Sequence, residues 1–344
     1  MGVLVTVAIA SYNNSPYIER CLESVIGQTY NNIEILIVDD GSKDDSLGKI
    51  EKYRSNKRVH IVTKENGGLS SVRQLCLELA KGEYISFIDA DDYLSPGYVE
   101  SMILKMQKDD SDICVCGTRF ETADGVYLKD VSSFWESKES SLPYVTTPSF
   151  LSGYNSKDFL KLHLSDSWNK MYKVSTIRRC RVKFNMPKGL NGSDSLFNML
   201  LALHELTYSI VSNEGYIHVI YSSSAVHRKC KNLKESYRFI IDAMVSEANK
   251  IGKFESLKYM ISRNWYLFQE DIFFDEYDTV DKWYNLFSKY KLLKSRLVDF
   301  STNRNLEKCS LSMAVSRSSW SFLFLFKYSL LILPFYIALM KRIR

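Results

Sequence analysis

Three carboxylates follow one short apolar stretch of the chain. Residues 84–88 read Tyr-Ile-Ser-Phe-Ile, and Asp89, Asp91 and Asp92 come directly after them. The β-branched and aromatic residues predict a strand buried on both faces, and ligands of open parallel sheets bind outside the carboxyl ends of such strands. Clustered carboxylates repel one another, and Mg²⁺ or Mn²⁺, which commonly carries a diphosphate, relieves that repulsion. The alternative is an acidic turn that caps the helix beginning near Pro96.

A second pair of acids ends another apolar run. Residues 33–38 predict a strand, and Asp39 and Asp40 follow it. Both carboxylates are expected at the same sheet edge as Asp89 and Asp91. Further on, residues 67 and 68 are a Gly-Gly pair that opens a predicted helix carrying Arg73 in its first turn. Paired glycines alone are weak evidence for phosphate binding, and a plain turn is the alternative.

The elements that must position these residues alternate between strand and helix. Apolar runs predict strands at residues 3–9, 33–38, 59–62, 84–88 and 112–117. Helical spacing follows most of them, beginning with the helix that Pro16 opens. Short links between alternating elements predict an α/β fold with a parallel, doubly wound sheet over about residues 1–120.

The later part of the chain is less regular. Periodicity lapses over residues 121–156, which indicates a mobile lid or a substrate-binding insert. Strands are predicted at residues 206–210 and 216–221, and mostly helix from about residue 233 to residue 300. Asp194 begins an apolar helix after two glycines. It is either a helix-dipole acid or a group delivered to an open site.

Composition and charge exclude several classes of protein. The 344 residues are 45% hydrophobic and 25% charged, which is typical of a globular chain. The net charge is +5, but seven basic residues and one acidic residue lie from Arg304 onward, so the chain before Arg304 carries −1. That balance argues against a nucleic-acid groove in the body. The seven scattered cysteines predict reduced core residues, and no signal-peptide pattern precedes the first strand, so we expect the body in the cytosol.

The order and spacing of five segments resemble family 2 inverting glycosyltransferases with the GT-A fold, a Rossmann-like, mostly parallel sheet flanked by helices. The segments are Ala10-Ser11-Tyr12-Asn13, Gln28-Thr29-Tyr30, residues 34–42 ending Asp39-Asp40-Gly41-Ser42, Asn66-Gly67-Gly68-Leu69-Ser70, and Asp89-Ala90-Asp91-Asp92. The resemblance is strong over about the first 120 residues. It extends more weakly to Trp168-Asn169-Lys170 and residues 189–197.

The resemblance implies roles for particular residues. Asp40 would bind the uracil edge, Arg73 the base or the diphosphate, and Asp89 the ribose. Asp91 would hold Mn²⁺ or Mg²⁺, which would neutralise the departing diphosphate. His227 resembles a further metal ligand of some members, and a surface residue is the alternative. The other nucleotide-binding positions that the resemblance implies are Ala10, Tyr12 and Ala90.

The resemblance also implies an acceptor side. Asp194 would be the base that takes the acceptor's proton, although Ser193 stands where members usually have Glu. Asp92 and Asp166 are the next candidates for the base. The expected contacts with the acceptor or the sugar are Trp168, Asn169, Lys170 and Asp92.

The function implied is transfer of a sugar from a nucleotide sugar, expected to be a UDP-sugar, to a saccharide acceptor that is expected to be lipid-linked, in surface polysaccharide or capsule synthesis. The alternatives are a nucleotide-sugar-binding pseudoenzyme and a phosphatase of the Asp-x-Asp type. In such phosphatases the acidic pair follows the first strand, whereas here it follows the fourth.

Four regions are expected along the chain. They are a nucleotide-sugar-binding half of the GT-A domain at 1–120, an acceptor and catalytic half at 121–230, a helical region at 231–315, and a basic, hydrophobic tail at 316–344. Lys327 splits the tail's apolar run, and basic residues flank both ends. This pattern favours a peripheral or re-entrant helix on the cytoplasmic face of the cell membrane, and a core helix or oligomer contact is the alternative.

Overall fold

The computed structural model describes residues 2–130, 145–146, 166–221, 232–257 and 261. Contacts divide the chain into two compact units, Met1–Asn232 and Leu233–Arg344. The first unit holds every strand of the described sheet. Of the second, the described part contains helix α7 at Leu233–Lys250, as predicted for the start of the helical region.

Ten strands form one sheet within the described residues. They are β1 Val5–Ser11, β2 Ile33–Asp39, β3 Val59–Thr63, β4 Tyr84–Asp89, β5 Tyr93–Leu94, β6 Ile113–Thr122, β7 Tyr127–Asp130, β8 Val145–Thr146, β9 Lys170–Lys173 and β10 Thr207–Ile220. The main order is β3-β2-β1-β4-β9-β6-β10-β5, with β7 beside β6 and β8 beside β10. The helices of the same unit are α1 Ile18–Ile26, α2 Ser46–Glu51, α3 Leu69–Leu79, α4 Tyr98–Asp109, α5 Val174–Cys180 and α6 Ser193–Ala202.

The first four strands are parallel, as predicted. Strand β6 runs in the same direction as β4 but does not pair with it, because β9 lies between them and runs antiparallel to both. The sheet predicted for about residues 1–120 is therefore interrupted by one antiparallel strand from later in the chain. The reason is that residues 170–173 read Lys-Met-Tyr-Lys, which is too short for apolar periodicity to reveal a central strand.

Strand β10 joins two stretches that the sequence predicts as separate strands. It runs parallel to β6, and its register shifts between Val211 and Tyr216. Gly117 lies opposite this irregularity, where an added Cβ would stand 2.6 Å from the carbonyl oxygen of Ser212. Only glycine allows the two backbones to approach this closely. Along its length, β10 pairs with β6, β5 and β8.

Apolar helix faces cover the sheet and fix the strand ends. Ile18, Cys21, Leu22 and Val25 repeat at helical spacing on α1 and are fully buried. Such burial contributes about 1.5–3 kcal/mol for each large aliphatic side chain. The described cysteines, Cys21, Cys76, Cys114, Cys116 and Cys180, are buried and unbridged, as predicted. Across the described ranges, no helix combines the length and apolarity that crossing a membrane requires. Residues 316–344, which carry the predicted membrane tail, lie outside them.

Candidate active site

The carboxyl ends of β1, β2 and β4 bring the predicted nucleotide-binding residues together. Ala10 pairs with Val38 on one side and with Asp89 on the other. Tyr12 follows β1, and 42% of its surface is exposed. Ala90 follows β4 directly and is buried.

Asp40 holds the glycine turn at the start of α3. Its carboxylate accepts hydrogen bonds from the amides of Gly67 at 2.9 Å and Gly68 at 2.8 Å, and from Lys64 at 2.7 Å. Gly68 has a φ of +84°, which an L side chain rarely adopts. Three donors thus bind this carboxylate, and the predicted contact of Asp40 with a uracil edge stays a prediction.

Arg73 joins two carboxylates that the sequence places 105 positions apart. Its Nη2 donates to Asp89 at 2.6 Å, and its Nη1 forms an ion pair with Asp194. Arg73 is 1% exposed, whereas the side chains of Asp89 and Asp194 are 28% and 15% exposed. Burial raises the pKa of Asp89, and the Arg73 charge opposes that rise. The donor-side acid and the predicted base therefore share one guanidinium.

Asp194 lies in the first turn of α6, where the helix dipole favours an acid. Its Oδ2 accepts the amide of Ser167 at 3.0 Å. Gly192 precedes α6 with a φ of +91° and turns the chain into the helix. The carboxylate is thus held from two sides and stands at the wall of a cleft.

That cleft has a volume of about 280 Å³. Residues 67–70 form one wall, and Asp166 with residues 186–195 forms the other. Lys188 crosses between the walls and donates to the carbonyl oxygen of Asn66 at 2.6 Å. Hydroxyl groups, one ammonium group and the two carboxylates of Asp166 and Asp194 therefore line this space.

Asp91 differs from Asp89 and Asp92, the other two acids of residues 89–92, which we call the acidic loop. Burial, followed by the charges of Asp92 and Asp89, raises the pKa of Asp91 to about 7. Its carbonyl oxygen accepts hydrogen bonds from Arg20 at 2.8 Å and Tyr221 at 3.3 Å. The backbone is therefore fixed while the carboxylate has no side-chain cation paired with it within the described residues.

Asp92 is fully buried and does not fit the predicted contact with an acceptor. Its carboxylate accepts hydrogen bonds from Tyr216 at 2.7 Å and the amide of Val219 at 2.9 Å, and it lies 3.0 Å from His218. Burial disfavours a charged His218, but Asp92 and the other two acids raise its pKa above 6.5. Asp92 therefore anchors the loop to β10.

Trp168, Asn169 and Lys170 also face the interior. Trp168 stacks on the ring of His218 at 5.1 Å, and Asn169 donates to the carbonyl oxygen of Cys116 at 3.4 Å. Lys170 donates to the carbonyl oxygen of Asp166 at 2.5 Å, and burial lowers its pKa to about 7. All three side chains are buried and bound by interior groups, and their contact with an acceptor or sugar stays a prediction.

Mg²⁺ and Mn²⁺ prefer oxygen ligands, and the Asp91 carboxylate supplies one such ligand. Within the described ranges, no group of three or more Asp, Glu, His or Cys side chains is arranged to hold a metal. Asp89 is engaged by Arg73, and Asp92 by Tyr216 and His218. His227, the other predicted ligand, lies outside the described residues. A single carboxylate fits an ion whose other ligands come from a diphosphate and water.

The family model for glycosyl transferase family 2 matches residues 6–180. The chain belongs to glycosyl transferase family 2. The putative glycosyltransferase EpsH of Bacillus subtilis (strain 168) is 32% identical over 257 residues, which cover 73% of this chain and 71% of EpsH. The chondroitin synthase of Pasteurella multocida (strain Pm70) is 36% identical over 169 residues, which are 48% of this chain but 17% of the synthase. These relatives identify the protein as a glycosyltransferase.

Solved structures show the fold of this family 2 glycosyltransferase. The crystal structure of S. aureus TarS 1-349 in complex with UDP-GlcNAc matches with a TM-score of 0.64 at 20% identity, over 90% of this chain and 84% of that one. The GT-A expectation is thereby confirmed.

Several residues at the site of this glycosyltransferase carry no motif. Arg20, Tyr216, His218 and Tyr221 all hold the acidic loop, yet each lies inside an ordinary helix or strand pattern. Strand alternation places Tyr216 and His218 on one face, which is the only signal that the sequence offers. The partner that they share, Asp92, is distant in the chain and could not be inferred from that pattern.

Proposed function

We propose that this glycosyltransferase moves a sugar from a UDP-linked donor to a hydroxyl of a saccharide acceptor, with inversion. The observation that carries the proposal is the contact of Arg73 with both Asp89, which ends β4 two residues before Asp91, and Asp194, which lines the cleft. In support of the donor, TarS, which has the same fold, was crystallised with UDP-GlcNAc. In support of a saccharide product, a chondroitin synthase is among the relatives.

The reaction needs one proton transfer and one displacement. The acceptor oxygen forms a bond to the anomeric carbon, and the bond from that carbon to the diphosphate oxygen breaks with its electron pair. The acceptor's proton passes to Asp194. Each carboxylate oxygen has two acceptor positions, so Asp194 can receive a proton while it keeps its bonds to Arg73 and Ser167.

A divalent cation, Mn²⁺ or Mg²⁺, would be held by Asp91. When bound, it would neutralise charge that develops on the departing diphosphate. The fit rests on the Asp91 carboxylate, which has no side-chain cation paired with it within the described residues while its backbone carbonyl is held by Arg20 and Tyr221. Burial, followed by the charges of Asp92 and Asp89, raises the pKa of Asp91, and a bound cation would favour the charged carboxylate.

The acceptor is proposed to be lipid-linked, and the protein is proposed to work at the cytoplasmic face of the cell membrane. Support comes from the apolar residues 328–340 with basic residues on both sides. Surface polysaccharide synthesis is the process that such an acceptor would suit.

Hydrolysis of nucleotide sugars by the purified protein tests the donor and the metal together. We expect release of UDP from one UDP-sugar with Mn²⁺ present, loss of release in chelator, and recovery on adding Mn²⁺. Asp91→Asn should fold normally, lose nearly all activity and bind Mn²⁺ more weakly by electron paramagnetic resonance. Full activity in excess chelator would refute the metal, and preference for guanosine diphosphate sugars would refute the UDP donor.

A further inference from the structure

We propose that Arg73 is a positioning residue, which fixes the base Asp194 against the donor-side acid Asp89, rather than a ligand of the nucleotide. This inference rests on the proposed function, because it assigns Asp194 as the base. The two ion pairs of Arg73 carry it.

The shape of the guanidinium suits this role. Arginine presents its donors in a rigid planar fork, so one side chain can hold two carboxylates at a set separation. Arg73 uses Nη2 for Asp89 and Nη1 for Asp194. From α3 it reaches both β4, which ends in Asp89, and α6, which has Asp194 in its first turn.

Burial argues against direct contact with a ligand. Only 1% of the Arg73 side chain is exposed, although Asp89 and Asp194 beside it are both partly exposed. A nucleotide would therefore meet the two carboxylates before the guanidinium. The charge of Arg73 stabilises both acids in one place, because two carboxylates without it would repel each other.

Two groups together set the plane of the Asp194 carboxylate. Arg73 binds Oδ1, and the amide of Ser167 binds Oδ2. Asn198 donates to the Asp194 carbonyl oxygen at 3.0 Å and fixes the backbone. Of these three contacts, the one from Arg73 also reaches the donor side. A displaced base loses rate steeply, since a shift of 1 Å can cost about 10²-fold.

Arg73→Lys separates the two roles. Lysine keeps the positive charge that contact with the diphosphate or the uracil ring would use. Its single ammonium group cannot span two carboxylates. We expect kcat for UDP-sugar hydrolysis to fall about 10²-fold, with the Kd for UDP and Mn²⁺, measured by calorimetry, staying close to wild type. Arg58→Lys is the matched control, because Arg58 donates to the carbonyl oxygen of Ile26, away from these carboxylates.

Two further variants complete the test. Adding Arg73→Lys to Asp194→Asn should lower kcat little beyond Asp194→Asn alone, since both remove the same positioned base. If Arg73→Lys does not fold, the test uses the denaturation midpoints of Asp89→Asn, Asp194→Asn and the variant that carries both substitutions. Shared use of Arg73 predicts shifts that are not additive.

Weaker UDP binding by Arg73→Lys with unchanged kcat would overturn the inference and make Arg73 a nucleotide ligand. Additive midpoint shifts would also overturn it. If wild type neither binds nor releases UDP, the proposed function itself is refuted, which differs from a variant that fails where wild type succeeds.

Discussion

One carboxylate oxygen of Asp194 is paired with the Arg73 guanidinium, and the other accepts a hydrogen bond from the Ser167 amide. The orientation of the carboxylate is therefore set before any substrate binds. Asp194→Asn is nearly the same shape but cannot take a proton. We expect the rate of transfer to fall by about 10² to 10⁴, while UDP affinity stays close to wild type. Discontinuous assays of UDP release from the UDP-sugar that the wild type hydrolyses measure the rate, and calorimetry measures the UDP affinity.

The matched control for that variant is Ser195→Ala, one position further along the same helix turn, with no carboxylate removed. Loss of UDP binding in Asp194→Asn would place Asp194 on the donor side instead. Wild-type activity would leave Asp166, which lines the same cleft, as the next candidate for the base.

Lys170 predicts a pH dependence of stability. Burial lowers its pKa in the folded chain to about 7, whereas an unfolded lysine keeps its proton to about pH 10. Between these values the unfolded chain binds more protons, so the contribution of Lys170 to stability rises with pH. The slope reaches about 1.4 kcal/mol per pH unit when the group lies fully within that window.

Denaturant midpoints at pH 7 and pH 9 measure this contribution. Wild type should gain stability over that range relative to Lys170→Met, which has no proton to lose. Parallel curves for the two proteins would show that Lys170 keeps its proton in the folded chain. Below pH 7 the two curves should run parallel, because Lys170 is then charged in both states.

At the scale of elements, α1 and β10 together hold the loop after β4. Arg20 on α1 donates to the carbonyl oxygen of Asp91 and to Tyr221 at 2.7 Å, and it lies 4.7 Å from the ring centre of Tyr93. Residues that orient a metal ligand typically change metal affinity 10–100-fold when removed. If Asp91 holds the proposed cation, this clamp, formed by Arg20 and Tyr221 on the Asp91 carbonyl, would orient the metal ligand.

Arg20→Met tests the clamp, since methionine keeps the packing on Tyr93 and removes the donors. We expect the Mn²⁺ affinity in the presence of UDP to fall about 10- to 100-fold, with activity recovering at high Mn²⁺. Arg58→Met is the control at an arginine outside the loop. Equal Mn²⁺ affinity for Arg20→Met and wild type, by paramagnetic resonance, would contradict this role.

The sequence predicts those parts of this fold that depend on local apolar periodicity, and it fails where residues far apart in the chain pair with each other. Strands such as residues 84–89 end close to where apolar runs end, and the sequence places Asp40 and Asp89 at one edge of the sheet. Lys170 was expected to face an acceptor, and its burial depends on β9 pairing with strands about 60 to 90 residues earlier. Contacts of that range leave no trace in local pattern.

At the scale of the whole molecule, the prediction concerns residues after Ser316. If the basic, apolar tail attaches the enzyme to a membrane surface, deletion after Ser316 should move the protein from the membrane fraction to the soluble one. Glycosyl transfer to a short saccharide in solution should persist, since the site residues lie before residue 230. Immunoblots of fractionated cells measure the shift, and full-length protein already in the soluble fraction would refute the anchor.

The central position of β9 has a consequence for synthesis on the ribosome. When residue 122 has emerged from the ribosome, β4 and β6 can form. Strand β9, which pairs with both, is still about 50 residues away in the chain. At 5–20 residues per second, the wait is about 3 to 10 s. During that time both strands present unpaired edges, which other chains can join. Expression at low temperature or with a chaperone should therefore matter more for this chain than for one whose central strands are consecutive.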